Sequence, residues 1–203
     1  KIMNIAVIPA RGESKRIPRK NIKRFVDKPM IFYAIEIAKK SKLFNSIIVS
    51  TDDEEIRNVA IEYGATAPFI RPENLSNDYS LTSEVISHAL KEIEKNDPSF
   101  NNVCCIYPSV PFLLIEDIAA GYDLYLNNLT KFCFPVAKHP SSVLRSLKLE
   151  KNNFISSFFP ENVITRTQDL ENAFYDAGQF YWGHKDTWKN KNDIHGNSVG
   201  FIL

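Results

Sequence analysis

Ile5-Ala6-Val7-Ile8-Pro9-Ala10-Arg11-Gly12-Glu13-Ser14-Lys15-Arg16-Ile17-Pro18-Arg19-Lys20-Asn21 is the stretch on which the reading of the fold turns. Ile5 to Ile8 is apolar at every position, without alternation, and predicts a buried parallel strand. Pro9 has no amide to donate to a ladder, so the strand stops there. Gly12 permits a tight turn and close approach of the backbone to a ligand. From Arg11 to Lys28, eight Lys and Arg residues are opposed by only Glu13 and Asp27, a local charge of +6 in a chain that totals +1. Basic runs are usually solvated faces. This one follows a buried strand, contains Gly12 and Pro18, and mixes Ser and Asn with its cations. Placed at the carboxyl end of a first strand, it predicts a polyphosphate site. It has neither the Gly spacing of a Walker loop nor that of a dinucleotide fingerprint.

Outward from this loop, strand and helix alternate. Pro29 suits a helix start, and Met30 to Ala38 follows, with Lys39, Lys40 and Lys42 near the end that favours cations. Ile47 to Ser50 predicts a second strand, and Thr51-Asp52-Asp53 can cap the next helix. Ile56, Val59, Ala60 and Tyr63 recur at helical spacing, and Gly64 closes the helix. Ala67 to Ile70 predicts a brief third strand. A polar loop from Arg71 to Leu81 leads into an amphipathic helix, Thr82 to Lys95. Val103 to Tyr107 is the fourth strand, central in the sheet. Glu116 to Asn127 is a helix, and Phe132 to Val136 the fifth strand. This rhythm predicts an α/β fold, a Rossmann-like mostly parallel sheet with helices on both faces. From Ala137 onward the strand-like pieces are short: Val143 to Leu149, Phe154 to Phe159 and Ala173 to Trp182. That half is aromatic and reads as a β-rich lid or dimerisation arm at about 138–180 on a single domain, 1–203. Phe158, Phe159 and Trp182 read as its core.

At 203 residues the chain can bury roughly 70% of its unfolded surface without staples. A net charge near zero argues against bulk nucleic-acid binding. No apolar run reaches the ~20 residues that span a bilayer, which excludes a membrane partner of that kind. No signal-peptide pattern opens the chain, and its start on Lys1 rather than Met predicts a processed or trimmed beginning. Cys104, Cys105 and Cys133 read as small buried hydrophobes, and no metal spacing joins them to the four histidines. These facts predict a cytoplasmic setting.

Ile8 to Asn21 resembles the signature loop of the cytidylyltransferases that activate nine-carbon sugar acids, Pro-Ala-Arg-Gly-Gly-Ser-Lys and then Lys-Asn. Glu13 replaces the second Gly. Val49-Ser50-Thr51-Asp52-Asp53, Arg71-Pro72-Glu73, Leu75-Ser76-Asn77-Asp78 and Tyr107-Pro108-Ser109-Val110-Pro111-Phe112 also match. Arg166-Thr167-Gln168-Asp169-Leu170 and Asp176-Ala177-Gly178-Gln179-Phe180-Tyr181-Trp182 are most similar to the pseudaminic acid branch. The resemblance implies a nucleotide-diphospho-sugar transferase (GT-A-like) fold and a homodimer. It implies a CTP-dependent transfer that releases pyrophosphate and yields a CMP-sugar for surface glycan or flagellin glycosylation. Legionaminic and N-acetylneuraminic acid are the alternative substrates, and a non-catalytic nucleotide-binding module is the alternative role.

A triphosphate needs convergent cations and backbone donors. Ala10, Arg11, Gly12, Ser14, Lys15 and Arg16 are the candidates, with Arg11 and Lys20 the catalytic pair. By resemblance, Lys20 and Asn21 reach the α-phosphate and the cytidine, while Arg71, Ser80 and Thr82 read base and ribose. For the sugar acid, a planar guanidinium suits the carboxylate, and the family match assigns it to Arg166. Gln168, Tyr175 and Gln179 can orient hydroxyls and amides, and Tyr107 stands where sialic-acid enzymes often place Gln. Arg19, Lys23, Arg24 and Lys28 read as solvated surface. Mg²⁺ would bridge phosphate oxygens, held by one or two carboxylates. The family's Asp-Ile-Asp-Thr-like metal segment would follow Leu203, which predicts a trimmed C-terminus and leaves the metal ligands unknown. Asp169 and Asp176 are not assigned to it.

Overall fold

The structure is a computed structural model and describes residues 3–129, 131–190, 193–196 and 198–203. In chain order the elements are β1 (Asn4–Pro9), β2 (Arg24–Phe25), β3 (Lys28–Pro29), α1 (Met30–Ser41), β4 (Ser46–Ser50), α2 (Glu54–Glu62), α3 (Thr82–Glu94), β5 (Asn102–Ile106), α4 (Ile115–Leu126) and β6 (Phe132–Lys138). There follow β7 (Leu147–Leu149), β8 (Ile155–Ser157), β9 (Phe174–Asp176), β10 (Phe180–His184), α5 (Lys185–Lys189) and β11 (Ser198–Ile202). The chain divides into two compact units, Lys1–Pro135 with Gly178–Phe201, and Val136–Ala177 with Ile202–Leu203.

The first unit is built on β1. The strand is parallel to β4 on one side and to β5 on the other, and Ile5, Ala6, Val7 and Ile8 are all buried. A strand apolar at every position has both faces covered. On the face of Ala6 and Ile8, α1 contributes Ile31, Ala34, Ile35 and Ala38, and α2 contributes Ile56 and Ala60. On the other face α3 packs with α5 beside it. Asp53 caps α2 by accepting the amide of Ile56 at 2.9 Å, and Gly64 (φ 91°) follows the helix in the left-handed region.

The main sheet runs β11-β6-β10-β5-β1-β4. β10 is antiparallel to both β5 and β6, so the sheet is mixed although mostly parallel. Two expectations change here. Ala67 to Ile70 is not a strand: isolated bridges mark only its borders, Ile48 to Thr66 just before it and Thr51 to Ile70 at its end, and Pro68 between them has no amide for a ladder. Ala173 to Trp182 is not one strand but two, β9 and β10, parted at Gly178 (φ 65°). Trp182 therefore belongs to the first unit's core. Its indole donates to the carbonyl of Ile118 at 3.3 Å and its ring stacks on Phe44 at 5.2 Å.

In the second unit β9 is antiparallel to the end of β6, and β7 and β8 form a two-stranded sheet. Val143 to Leu149 is not continuous strand, since a 3₁₀ turn at Val143–Arg145 precedes β7. Phe158 is 58% exposed, so it is not core as expected from its aromatic character. Among the described residues no helix is long and apolar enough to cross a membrane.

Candidate active site

β1 and β4 deliver their loops side by side. Ala10 continues the register, its amide donating to the Ser50 carbonyl at 2.9 Å. The chain then passes so close to Asp53 that a Cβ on Gly12 would lie 2.8 Å from Asp53 Oδ2. Only glycine fits at that separation. The Gly12 amide donates to Asp52 Oδ1 at 2.9 Å. Further along, Arg19 adopts φ 55°, its carbonyl accepts the amides of Ile22 and Lys23, and its guanidinium grips Asp53 with both nitrogens, at 2.5 and 2.9 Å, while also meeting Glu55. The basic loop is thus tied at two points to the carboxylates that start α2. Arg19, expected as solvated surface, is a structural clamp.

Behind the loop is a cleft of about 740 Å³. Arg11, Ser14, Lys15, Arg16, Lys20 and Asn21 line it, as do Arg71, Ser80, Thr82 and Tyr107. These expected residues come from four separate stretches and converge. Ala10 and Gly12 do not line it. Ala10 is fully buried, and both amides are already spent on Ser50 and Asp52. Gln179 does not line it either; its carbonyl accepts the Tyr107 amide at 2.9 Å. Arg166, Gln168 and Tyr175 belong to the second unit. There Arg166 Nε donates to Asp169 at 2.8 Å and the Tyr175 ring meets His139 edge-on.

The cleft is strongly cationic. Burial lowers the Lys20 ammonium below its ordinary pKa, and the neighbouring Arg16 and Arg11 lower it further. Arg71 is 4% exposed. Burial lowers its pKa too, Asp52 opposes that from 3.7 Å, and Arg11 adds to it. Ser76 accepts from Arg71 Nε at 3.2 Å. Like charges held together in a partly buried cleft leave a deficit of negative charge that a polyanion would relieve. Two buried acceptors at the wall, Asn21 Oδ1 and Ser109 Oγ, have no partner within the described residues. The Asn21 amide nitrogen is held by the Arg11 carbonyl at 2.8 Å. Thr82 Oγ1 and the Tyr107 hydroxyl lie 2.9 Å apart.

Sequence reasoning missed several contributors. Asp52 and Asp53 read as a helix start and also anchor the loop. Asp78 pairs with Arg11 at 2.7 Å and Lys15 at 2.6 Å, and Ser109 lines the cleft. All four stood in the matched motifs, but the partners of the three aspartates are far away in sequence. Among the described residues no three His, Cys, Asp or Glu side chains converge to hold a metal. Of the cleft carboxylates Glu13 and Asp78, the second is already bound to two cations. The residues present do not fit a resident metal.

The family described as cytidylyltransferase matches residues 5–192. The chain belongs to the cytidylyltransferase family. It is a nucleotidyltransferase whose nucleotide substrate is CTP. It is 40% identical over 191 residues to a pseudaminic acid cytidylyltransferase of Campylobacter jejuni, covering 94% of this chain and 82% of that one. It is 36% identical over 201 residues to a Helicobacter pylori protein that is both pseudaminic acid cytidylyltransferase and UDP-2,4-diacetamido-2,4,6-trideoxy-beta-L-altropyranose hydrolase, covering 98% of this chain and 38% of that one. In fold it is similar to a CMP:2-keto-3-deoxy-manno-octonic acid synthetase complexed with CTP, with a TM-score of 0.73 at 16% identity, over 99% of this chain and 90% of that one.

Proposed function

We propose that this protein joins CTP to pseudaminic acid and releases pyrophosphate. The observation that carries the reading is the convergence of Arg11, Lys15, Arg16, Lys20 and Arg71 on one cleft, in a chain 40% identical to a pseudaminic acid cytidylyltransferase. The anomeric hydroxyl of the sugar acid attacks the α-phosphorus in line. A new oxygen–phosphorus bond forms, the hydroxyl proton leaves to solvent, the bond between the α-phosphorus and its bridging oxygen breaks, and pyrophosphate carries away the electron pair. Arg11 and Lys20 neutralise charge that develops on the phosphoryl oxygens, and positioning does the rest. Asn21, Arg71, Ser80 and Thr82 hold the cytidine. Arg166 takes the sugar carboxylate as a planar guanidinium, with Gln168, Tyr175, Gln179 and Tyr107 assigned to its hydroxyl and acyl groups.

Mg²⁺ enters in this reading with the substrate, as the counter-ion of CTP, and no step is routed through a resident metal. A homodimer is supported by the second unit, which exposes Leu147, Leu149, Phe154, Ile155 and Ile164, apolar area suited to burial against a second copy. A cytoplasmic setting is supported by three buried cysteines without disulfides.

The test is pyrophosphate release with CTP, Mg²⁺ and each sugar acid in turn. Fastest turnover is expected with pseudaminic acid. Higher turnover with legionaminic or N-acetylneuraminic acid would reassign the sugar, and CTP binding without turnover on any of them would leave a nucleotide-binding module.

A further inference from the structure

Asp78 holds two cations of the basic loop. Its Oδ1 accepts from Arg11 Nη2 at 2.7 Å and its Oδ2 meets Lys15 Nζ at 2.6 Å. One carboxylate therefore presents each oxygen to one cation, as a phosphate group would. The three residues come from loops 67 and 63 positions apart in sequence, and all line the same cleft. These hydrogen bonds, from Lys15 first and then Arg11, hold the Asp78 carboxyl below the usual carboxylate range, so it is anionic at neutral pH.

The contact is not needed by the loop that carries it. Asn77 Oδ1 accepts the Tyr79 amide at 2.9 Å, Asn77 Nδ2 donates to the Asn74 carbonyl at 3.1 Å, and Ser80 Oγ bonds both. Lys15 is 81% exposed and Asp78 33%, and ion pairs this exposed exchange readily with solvent ions. A triphosphate entering the cleft meets these cations already engaged by an anion, and it must either displace that anion or lie beside it.

We propose that Asp78 is the resident counter-anion of the phosphate-binding cations, displaced when the nucleotide triphosphate binds and re-forming its pairs as pyrophosphate leaves. This rests on the reading of the cleft as the triphosphate site. While empty, the cleft keeps Arg11 and Lys15 in place instead of letting them repel each other. Once the bond is broken, the returning carboxylate competes with pyrophosphate for the same two donors and hastens its release. The device lowers affinity for the polyphosphate in exchange for turnover.

Removing the charge should therefore tighten binding, the reverse of what loss of a site residue does. Calorimetry on the full chain with inorganic pyrophosphate, CTP and CMP separates the possibilities. In Asp78→Asn, the affinity for pyrophosphate and for CTP should rise by at least about fivefold, since one opposed charge no longer faces several phosphate charges. CMP, with one phosphate group, should gain less. Pyrophosphate should become a stronger product inhibitor by a similar factor. Asp78→Ala should show the same direction, so that a packing fault peculiar to one variant is recognised. Unchanged or weaker pyrophosphate binding in both variants overturns the proposal and leaves Asp78 a positioning residue. Failure of the unaltered protein to bind either CTP or pyrophosphate would instead sink the triphosphate reading itself.

Discussion

Asp52 Oδ1 accepts the backbone amide of Gly12 at 2.9 Å, and through that bond the end of β4 sets the course of the cationic loop that follows β1. The same carboxylate lies 3.7 Å from the buried guanidinium of Arg71. One side chain thus fixes a loop on one wall of the cleft and balances a charge on the other. Asp52→Ala should weaken CTP binding about 10- to 100-fold, because a hydrogen bond to a charged group contributes about 1.5–3 kcal/mol. Titration calorimetry checks it. Binding within a factor of two of the unaltered protein would show that the loop holds its course without Asp52.

Asp53 supplies a pH test. Arg19's hydrogen bonds lower its carboxyl pKa below the ordinary value. A depressed folded pKa means that the ionised carboxylate stabilises the fold fully above the unfolded value, near 4, and that this contribution is lost as pH falls through the folded one. Asn caps a helix about as well as Asp, so Asp53→Asn removes the charge and keeps the cap. At neutral pH the variant should be less stable by about 1 kcal/mol, a figure already reduced for solvent screening. As pH falls below about 4 the unaltered protein should lose this advantage, and the two melting curves should converge. Parallel curves across that range would mean that the pair contributes nothing to stability.

Lys20 is held below the usual lysine range by burial, then by Arg16 and Arg11. A bound phosphate favours the protonated ammonium, so CTP affinity should fall at alkaline pH, beginning below the ordinary lysine range. Lys20→Arg, whose guanidinium does not titrate there, should flatten that fall. Lys20→Ala should lose at least ~100-fold in rate, as removal of one transition-state charge contact does. Steady-state rates and binding across pH measure both.

Gly121 on α4 faces a ring with no room to move. A Cβ there would lie 2.6 Å from Phe180 Cε2, and Phe180 is fully buried. Overpacking costs about 1–3 kcal/mol, against a gain of about 1 kcal/mol from replacing glycine in a helix. Gly121→Ala should therefore lower the melting temperature while leaving CTP affinity, measured below the transition, unchanged. A higher melting temperature would contradict the packing described.

Cys104, Cys105 and Cys133 are buried and free. Burial pushes the thiols up, Cys133 to about 11 and the other two further. The thiolate is the reactive form, so a thiol reagent should titrate none of them in the folded protein and all of them in denaturant. Rapid reaction of any one in the native state would show an opening that this packing does not have.

Much of this could be read without coordinates. Ile5 to Ile8 reads as a doubly covered strand because nothing polar interrupts it, and α1, α2, α3 and α4 lie within a few residues of where periodicity and caps placed them. The cations of Arg11 to Lys20 declare a polyanion site by composition alone. Such signals live within a few residues of one another, where propensity, turn chemistry and local charge act. What could not be read were the pairings between distant stretches. Arg19 looks like any surface cation until Asp53, 34 positions on, closes on it. Asp78 looks like a loop residue until it reaches Arg11, 67 positions back. Phe180 to His184 carries no mark that it enters the sheet antiparallel between β5 and β6, and only Pro68 hints that Ala67 to Ile70 falls short of a strand. The sequence by itself settled the strand, the helices and the sign of the charge in the cleft. Tertiary structure alone decided which carboxylate answers each cation, because ion pairs form wherever folding brings charges within reach, and no local pattern records that distance.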